Sequence, residues 1–546
     1  MGVNIPALVV LAVFYMIILV VGIVAGRKVK LNNCKKGSLE ANMVAGRDLN
    51  VCVGVFTMMA TTVGGGYING VAESVATSGI VWTLAPLGIF LGLIAGGVIY
   101  ARRMREKKYL TMLDPFQQRY GSAVVILIYL ASLCGDIFWT ASILSALGSS
   151  LAVMTGIDRP IAVCVSSGIT VIYTMIGQMI AVAYTDIIQL LFIIGISLPF
   201  IFTNENTGNI SNNSCDWLGQ MEAKDSGVWI DLLIAMSFGT IPWQSYFQRV
   251  LSVRSGKQAQ ILSITGAFGA LILVLPSIFI GAVATSANWN STSLGFSPMV
   301  LNKSSDVLPY VLQEFTPPVV SLLGLGAISA AVMSSMDSAI LGSSSMFTHN
   351  IYSNILRKQA SPLELQIIQR LAIICLGSIA TVISLSVPIL YGLFILAADV
   401  VFVIVLPQLT CAIFLQRTNT YGAISGFLAG FILRLGAGEP NFHLPAFIFY
   451  PKYDPELGQL FPFRTFAMVC SFITIVIVSE LVRLIRRKYV CLCSSSCSTE
   501  NNYEYNIVNE SKSRKCCPAH VKSDDVEELT SFVNHVINHM VEDSIN

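Results

Sequence analysis

The 546-residue chain is 54% hydrophobic and only 12% charged, with a formal net charge of +2. A soluble domain carries about twice that charge, and the near-neutral balance has no basic stripe of the kind that binds nucleic acid. Long apolar runs alternate with short polar ones, and each run is near the ~20 residues that a spanning helix needs. The composition therefore predicts an all-α polytopic membrane protein embedded in the lipid bilayer.

Taken in chain order, spans are predicted at 6–26, 49–77, 80–101, 121–150, 160–178, 181–203, 228–250, 258–285, 307–345, 366–387, 391–416, 420–437 and 464–485, about 13 crossings. The first is apolar from its start and has neither a basic n-region nor a cleavage site, so it is expected to be a retained helix. The connection after it holds Arg27, Lys28, Lys30, Lys35, Lys36 and Arg47; the one after the third holds Arg102, Arg103, Arg105, Lys107 and Lys108. The positive-inside rule makes both cytoplasmic. The connections 204–227 and 286–306 carry only Lys224 and Lys303, together with glycosylation sequons at Asn209, Asn212, Asn290 and Asn302. These loops are expected outside. An odd number of crossings then puts the N-terminus outside and the C-terminus in the cytoplasm.

Two spans carry helix breakers at their centres. The second contains "ATTVGGGYING", with Gly64, Gly65 and Gly66; the seventh contains "FGTIPWQSYFQR", with Gly239 and Pro242. Unpaired backbone groups at membrane depth are tolerated only where protein or a water-filled cavity satisfies them. The two broken spans stand five apart, the spacing of two five-helix repeats, at about 49–203 and 228–416. The alternative explanation for the glycines is close helix packing.

The ninth span reads "GLGAISAAVMSSMDSAILGSSSMF" and contains Asp337. An ionised carboxylate near mid-membrane costs ~2.5–3.5 kcal/mol on insertion scales. A cation held beside serine hydroxyls and freed carbonyls would offset that cost. The alternative is serine-mediated packing with Asp337 hydrogen-bonded to a neighbour. Glu73, Asp136, Asp186, Asp231 and Asp399 are also acidic in apolar context. Asp136 and Trp139 share a helix face, and Trp243 directly follows the break in the seventh span. Two tryptophans beside one cavity suit a cation held by π faces. Trp82, Trp217, Trp229 and Trp289 read instead as interfacial belt residues.

The thirteen cysteines form no disulfide pattern. Most lie in spans as small apolar residues; Cys491 and Cys493 follow the basic run Arg486–Lys488 and are candidates for palmitoylation. The region 486–546 reads as a cytoplasmic tail, mostly disordered. Within it, Val526, Leu529, Val533, Val536 and Met540 recur at helical spacing, predicting an amphipathic helix at 524–540.

The stretches "VGGGYING", "TMLDPFQQRYG", "VAYTDIIQL", "IPWQSYFQRVLS", "GLGAISAAVMSSMDSAIL", "TNTYGAISG" and "GEP" resemble the high-affinity choline transporters of the sodium/solute symporter family, over roughly residues 1–485. The resemblance implies a LeuT-like core of two inverted five-helix repeats. It implies sodium-coupled, chloride-dependent import of choline across the plasma membrane at presynaptic terminals, supplying acetylcholine synthesis, with no cofactor beyond the coupling ions. Carried over by position, one sodium site uses carbonyls near Met59 and Thr62, the carbonyl of Ala331 and the hydroxyls of Ser334 and Ser335. Asp337 matches the acid of a second sodium site. Trp139 and Trp243 match two walls of a choline cage. Two further walls depart from the family pattern: Thr62 stands where a Trp is usual and Ile89 where a Tyr is usual. Tyr67 and Phe138 are the neighbouring aromatics available to refill the space. The same residues are compatible with a sodium symporter for another small organic cation or metabolite, or with a substrate-gated sensor or channel. No metalloprotease, nucleophile-elbow or phosphate-loop motif is present, so no enzyme activity is expected.

Overall fold

The computed structural model describes residues 4–9, 12–13, 16, 43–172, 174–175, 198–204, 207, 214–301, 303–387, 389–442, 444–455 and 458–497. Contacts divide the chain into two units, Met1–Ile485 and Arg486–Asn546, and the second is described only as far as Cys497. Outside the described residues lie the expected tail helix at 524–540, Asp186, the sequons Asn209, Asn212 and Asn302, and most of the spans expected at 6–26 and 181–203. Asn290 is described and exposed.

The first unit is helical. In chain order its main helices are α1 (Val51–Thr62) and α2 (Gly65–Ser78); α3 (Ile80–Glu106) and α4 (Asp114–Tyr120); α5 (Ser122–Thr155) and α6 (Arg159–Ile172); α7 (Ser226–Gly239) and α8 (Gln244–Ser252). They continue with α9 (Gly256–Ser286), α10 (Val307–Phe315) and α11 (Pro318–Leu356); α12 (Pro362–Ser386), α13 (Leu390–Phe414) and α14 (Thr420–Gly436); and α15, which starts at Phe463. Seven of these are long and apolar enough to span alone, and two bent pairs, α1 with α2 and α7 with α8, each make one broken span. With the shorter apolar helices α6 and α14, these occupy the places of eleven expected spans.

One expected boundary moves. The span expected from 307 starts at Pro318, because α10 is a separate helix ending at Phe315. Pro317 and Pro318 force that restart: proline is favoured in the first turn of a helix and breaks a helix interior. Local chemistry sets other starts. The Asn50 side chain accepts from the Cys52 N–H at 2.9 Å at the head of α1, and Ser361 and Glu364 form a capping box on α12.

The helices pack in two groups. Both broken spans, α3 and α9 contact one another, while α5 packs on α11 and α12. The helix α13 lies between the groups, against α5, α2 and α7. A buried ionic network ties α13 to its surroundings. Asp399 on α13 accepts from Arg434 Nε at 2.7 Å and from Arg464 Nε at 2.9 Å. Arg464 also reaches Asp231 on α7 at 3.3 Å, and Arg434 reaches Glu439 at 2.7 Å. Two carboxylates that the sequence marks as unusual, Asp231 and Asp399, are thus neutralised by arginines.

The three consecutive glycines have two different uses. Gly64 is the joint: it is extended, with φ −100° and ψ −177°, between α1 and α2, which bend by 49°. Gly65 and Gly66 are the first residues of α2, and their φ is not positive. They are small because of close approach. A Cβ on Gly65 would stand 2.6 Å from Ala146 Cβ and 2.8 Å from Val332 Cγ1; one on Gly66 would stand 2.5 Å from Ser142 Oγ. Helix breaking and close packing therefore both apply, at adjacent positions.

Candidate functional site

The two breaks face one cavity. On one side Val63 and Gly64 interrupt the first broken span; on the other, residues 240–243 interrupt the second, with Trp243 in an extended conformation and a 41° bend. Proline at 242 has no N–H to continue the helix. Gly239 lets α7 meet α13 closely, since a Cβ there would lie 2.4 Å from the Ala398 carbonyl oxygen.

The cavity has a volume of about 60 Å³, room for about four to six water-sized groups. Its aromatic walls are Trp139 from α5, Trp243, Tyr246 from α8 and Phe394 from α13. Thr62 and Ile89 line it as well. The ring centroids of Trp139 and Trp243 are 5.9 Å apart in an edge-on arrangement; those of Trp139 and Phe394 are 5.0 Å apart. Trp243 is oriented by its indole N–H, which donates to the Gly239 carbonyl at 2.6 Å. The hydroxyl of Thr62 is turned back to the Met58 carbonyl at 2.8 Å, so Thr62 presents mainly its methyl group. No acidic side chain is among the described residues lining the cavity. Such a chamber, methyl-lined and faced by π systems, can hold an alkylated cation by ring quadrupoles.

Tyr67 and Phe138 do not refill the space. Tyr67 is fully buried behind Phe394, edge-on at 6.5 Å, with its hydroxyl donating to the Ala270 carbonyl at 3.4 Å. Phe138 packs on Phe442 at 5.5 Å. The aromatic that meets Trp139 is Phe394, which sequence reading missed. It sits in the apolar run "YGLFILAADV", where nothing local separates a cavity wall from a core residue.

Below the joint lies a set of oxygens. Ala331, Ser334, Ser335 and Asp337 on α11 are all buried. Ser335 donates to the Ala60 carbonyl at 2.8 Å, and Thr61 donates to Ser338 at 3.3 Å. The carbonyls expected at Met59 and Thr62 each already accept one backbone N–H. The Met59 carbonyl accepts from the Val63 N–H at 2.8 Å and the Thr62 carbonyl from the Gly64 N–H at 3.1 Å. The N–H that would have closed the helix onto Ala60 is that of Gly64, which turns back to Thr62 instead. The carbonyl left for a side chain is therefore Ala60's. Asp337 is not beside this group of oxygens alone: Thr174, in the fifth expected span, donates to its carboxylate. Thr174 is a second residue that only the packing identifies. The whole set is carbonyl, hydroxyl and carboxylate oxygen, the donor type that hard cations take.

At the basic end of the bundle, outside the spans, the turn into α4 is tied to the second break. Asp114 accepts from the Leu110 N–H at 2.7 Å and the Asn350 amide at 2.8 Å, and lies 3.6 Å from His349 Nε2. The neighbouring Met112 N–H donates to Gln244 Oε1 at 2.7 Å, one residue beyond Trp243. Burial by itself would raise the Asp114 pKa; the hydrogen bond and charge of His349 and the bonds from Leu110 and Asn350 outweigh it, so the pKa is lowered from the usual 3.8.

The sodium:solute symporter family profile matches residues 43–430. The chain is 46% identical over 483 residues to the high-affinity choline transporter 1 of Drosophila melanogaster, covering 87% of this chain and 78% of that one. It is 43% identical over 499 residues to the human high affinity choline transporter 1, covering 88% and 86%. A solved structure of a Na+-coupled sialic acid symporter, substrate-bound and outward-open, superposes with a TM-score of 0.69 at 18% identity, covering 88% of this chain and 98% of that one. The mostly helical fold with paired broken spans is thus the fold of the sodium-coupled symporters, and the chain is a multi-pass membrane protein that belongs to the sodium:solute symporter family.

Proposed function

We propose that the chain is a sodium-coupled symporter that imports choline across the plasma membrane. The observation that carries the reading is the aromatic cavity held between two broken spans, with an oxygen cluster directly beneath one of the breaks. A trimethylammonium group presents methyls and a diffuse positive charge, which Trp139, Trp243, Phe394 and the Tyr246 ring can face without a carboxylate. Sodium would be held by the Ala60 and Ala331 carbonyls and the Ser334 and Ser335 hydroxyls, and a second ion by Asp337. Binding there draws α11 toward the α1–α2 joint and so shapes the cavity wall at Thr62. The group of helices that carries both breaks would then rock against the group around α5 and α11. Energetically, each positive charge entering at 100 mV inside-negative gains ~2.3 kcal/mol. Choline with one sodium thus draws on about 4.6 kcal/mol of membrane potential, or about three decades of accumulation.

The reading includes chloride dependence, an outside N-terminus with a cytoplasmic C-terminus, and supply of choline to acetylcholine synthesis at presynaptic terminals. The 46% identity to a transporter named for choline and the K/R-rich connections support it. Thr62 and Ile89 on the cavity wall favour, as the second reading, a bulkier quaternary amine on the same site. Radiolabelled choline uptake in cells, with sodium present or replaced and then with chloride replaced, tests the proposal. Sodium-dependent accumulation is expected; normal surface expression without choline uptake would refute the substrate, and sodium-dependent current without accumulation would refute symport.

A further inference from the structure

At the basic end of the bundle there is a second, larger cavity, of about 880 Å³. It is walled by the end of α3, by α4 and by the last turn of α13 with the residues after it. Three cations line it from two segments: Arg103 and Lys107 at the end of α3, and Arg119 on α4. Packing against other segments holds two of them. The Arg103 guanidinium lies over the Phe414 ring at 4.2 Å from its centroid. Arg119 donates through Nη2 to the Leu415 carbonyl at 2.6 Å, which leaves its other N–H groups for a ligand. Among the described residues none of the three pairs with a carboxylate. The acid on the cavity wall, Glu106, is taken by Arg102 at 2.7 Å. Tyr109 and Gln118 complete the wall and are joined by a hydrogen bond of 3.4 Å.

Arg103 and Lys107 are exposed and Arg119 is half-buried, so this is a water-filled basic pocket open to an anionic ligand. Its level in the fold says which kind. α3 and α13 end on its walls and α5 begins at Ser122, just past α4, so it lies where the helices leave the hydrocarbon. Basic pockets between spans at that level bind lipid phosphate groups. Arginine forks take phosphate oxygens two at a time, and lysine binds phosphate as a point charge.

We propose that this cavity binds the polyphosphorylated headgroup of an inositol lipid in the inner leaflet, or the same headgroup free in solution. The proposal rests on the orientation inferred above, in which this end is cytoplasmic. Bound there, the headgroup bridges α3, α4 and the end of α13, and so reaches the helix whose other end carries Phe394.

The test uses full-length purified protein in detergent, with short-chain phosphatidylinositol 4,5-bisphosphate, free inositol trisphosphate and short-chain phosphatidylserine as probes. Wild-type protein should bind the inositol bisphosphate lipid more tightly than phosphatidylserine. Arg103→Gln/Lys107→Gln should bind it about thirty-fold more weakly, which is about 2 kcal/mol at ~1.4 kcal/mol per decade and the scale of two lost surface cations. Arg103→Lys/Lys107→Arg should keep the binding and show that the loss is not misfolding. Inositol trisphosphate competing with the lipid would make the free headgroup a ligand as well; its failure to compete would make the lipid the source. Equal binding by wild type and the double Gln variant, or none by wild type, would overturn the site. The readout needs no choline, so it stands apart from the transport reading. Labelling of Lys107→Cys on intact cells by an impermeant maleimide, above the level of the otherwise identical protein with Lys107 retained, and with the exposed native Cys215 replaced by Ser in both, would overturn the proposal at its orientation alone.

Discussion

Phe394→Leu separates a cavity wall from a core residue. The substitution keeps an apolar side chain of similar reach but removes the π face that stands 5.0 Å from Trp139. A cation–π contact is worth ~0.5–2 kcal/mol, and ~1.4 kcal/mol is one decade. The choline KM should therefore rise about 2–30-fold. Phe394 is 3% exposed, and it also packs edge-on with Tyr391 at 6.0 Å and Tyr67 at 6.5 Å. Packing loss alone would lower surface expression and maximal uptake, not KM, so both are measured. Phe394→Tyr keeps the ring and should hold KM within about 2-fold, the lower end of that same range. The assay is radiolabelled choline uptake over a concentration series at saturating sodium, normalised to surface-biotinylated protein. The sodium concentration for half-maximal uptake should stay unchanged, because Phe394 lies on α13 and the proposed sodium ligands on α1 and α11. An unchanged choline KM in Phe394→Leu at normal surface level would refute the cage as drawn.

Three further outcomes follow from the same geometry. Ser335→Ala removes the hydroxyl that meets the freed Ala60 carbonyl; the sodium requirement should rise by about a decade, the scale of one buried hydrogen bond to a charged group at ~1.5–3 kcal/mol, and an unchanged sodium curve would remove Ser335 from the ion site. Gly65→Ala places a methyl 2.6 Å from Ala146 Cβ; overpacking of this kind costs about 1–3 kcal/mol, so thermal stability in detergent should fall, while an unchanged melting temperature would show that the joint has slack. Asp114 has a lowered pKa, so its contribution to stability is full above the unfolded value near ~3.9 and is lost as pH falls through the folded value below 3.8. The difference in melting temperature between wild type and Asp114→Asn should close as pH falls below about 4; a difference constant down to pH 3 would contradict the His349 and backbone partners as its cause.

Much of the architecture is legible in the order of the amino acids. Hydrocarbon forces apolar runs of a set length and punishes breakers and charges, so the spans, both breaks and the oddness of Asp231, Asp337 and Asp399 can be read from that order alone. Trp139 and Trp243 are legible too, one beside an intramembrane acid and the other beside a proline. The use made of the acids is not legible there. Asp399 and Asp231 neutralise Arg434 and Arg464, whereas Asp337 accepts from a threonine hydroxyl. In one dimension all three are a carboxylate in an apolar run.

The order of residues alone establishes a membrane protein with two broken spans, because those features answer to the bilayer, and the bilayer acts on each segment separately. Tertiary structure decided which carbonyl the break frees, why Gly65 and Gly66 accompany Gly64, and that Phe394 rather than Tyr67 or Phe138 faces Trp139. Those are contacts between helices tens to hundreds of residues apart. A Phe in an apolar helix has the same local signature whether it lines a cavity or fills a core, and only the neighbour across the gap tells the two apart.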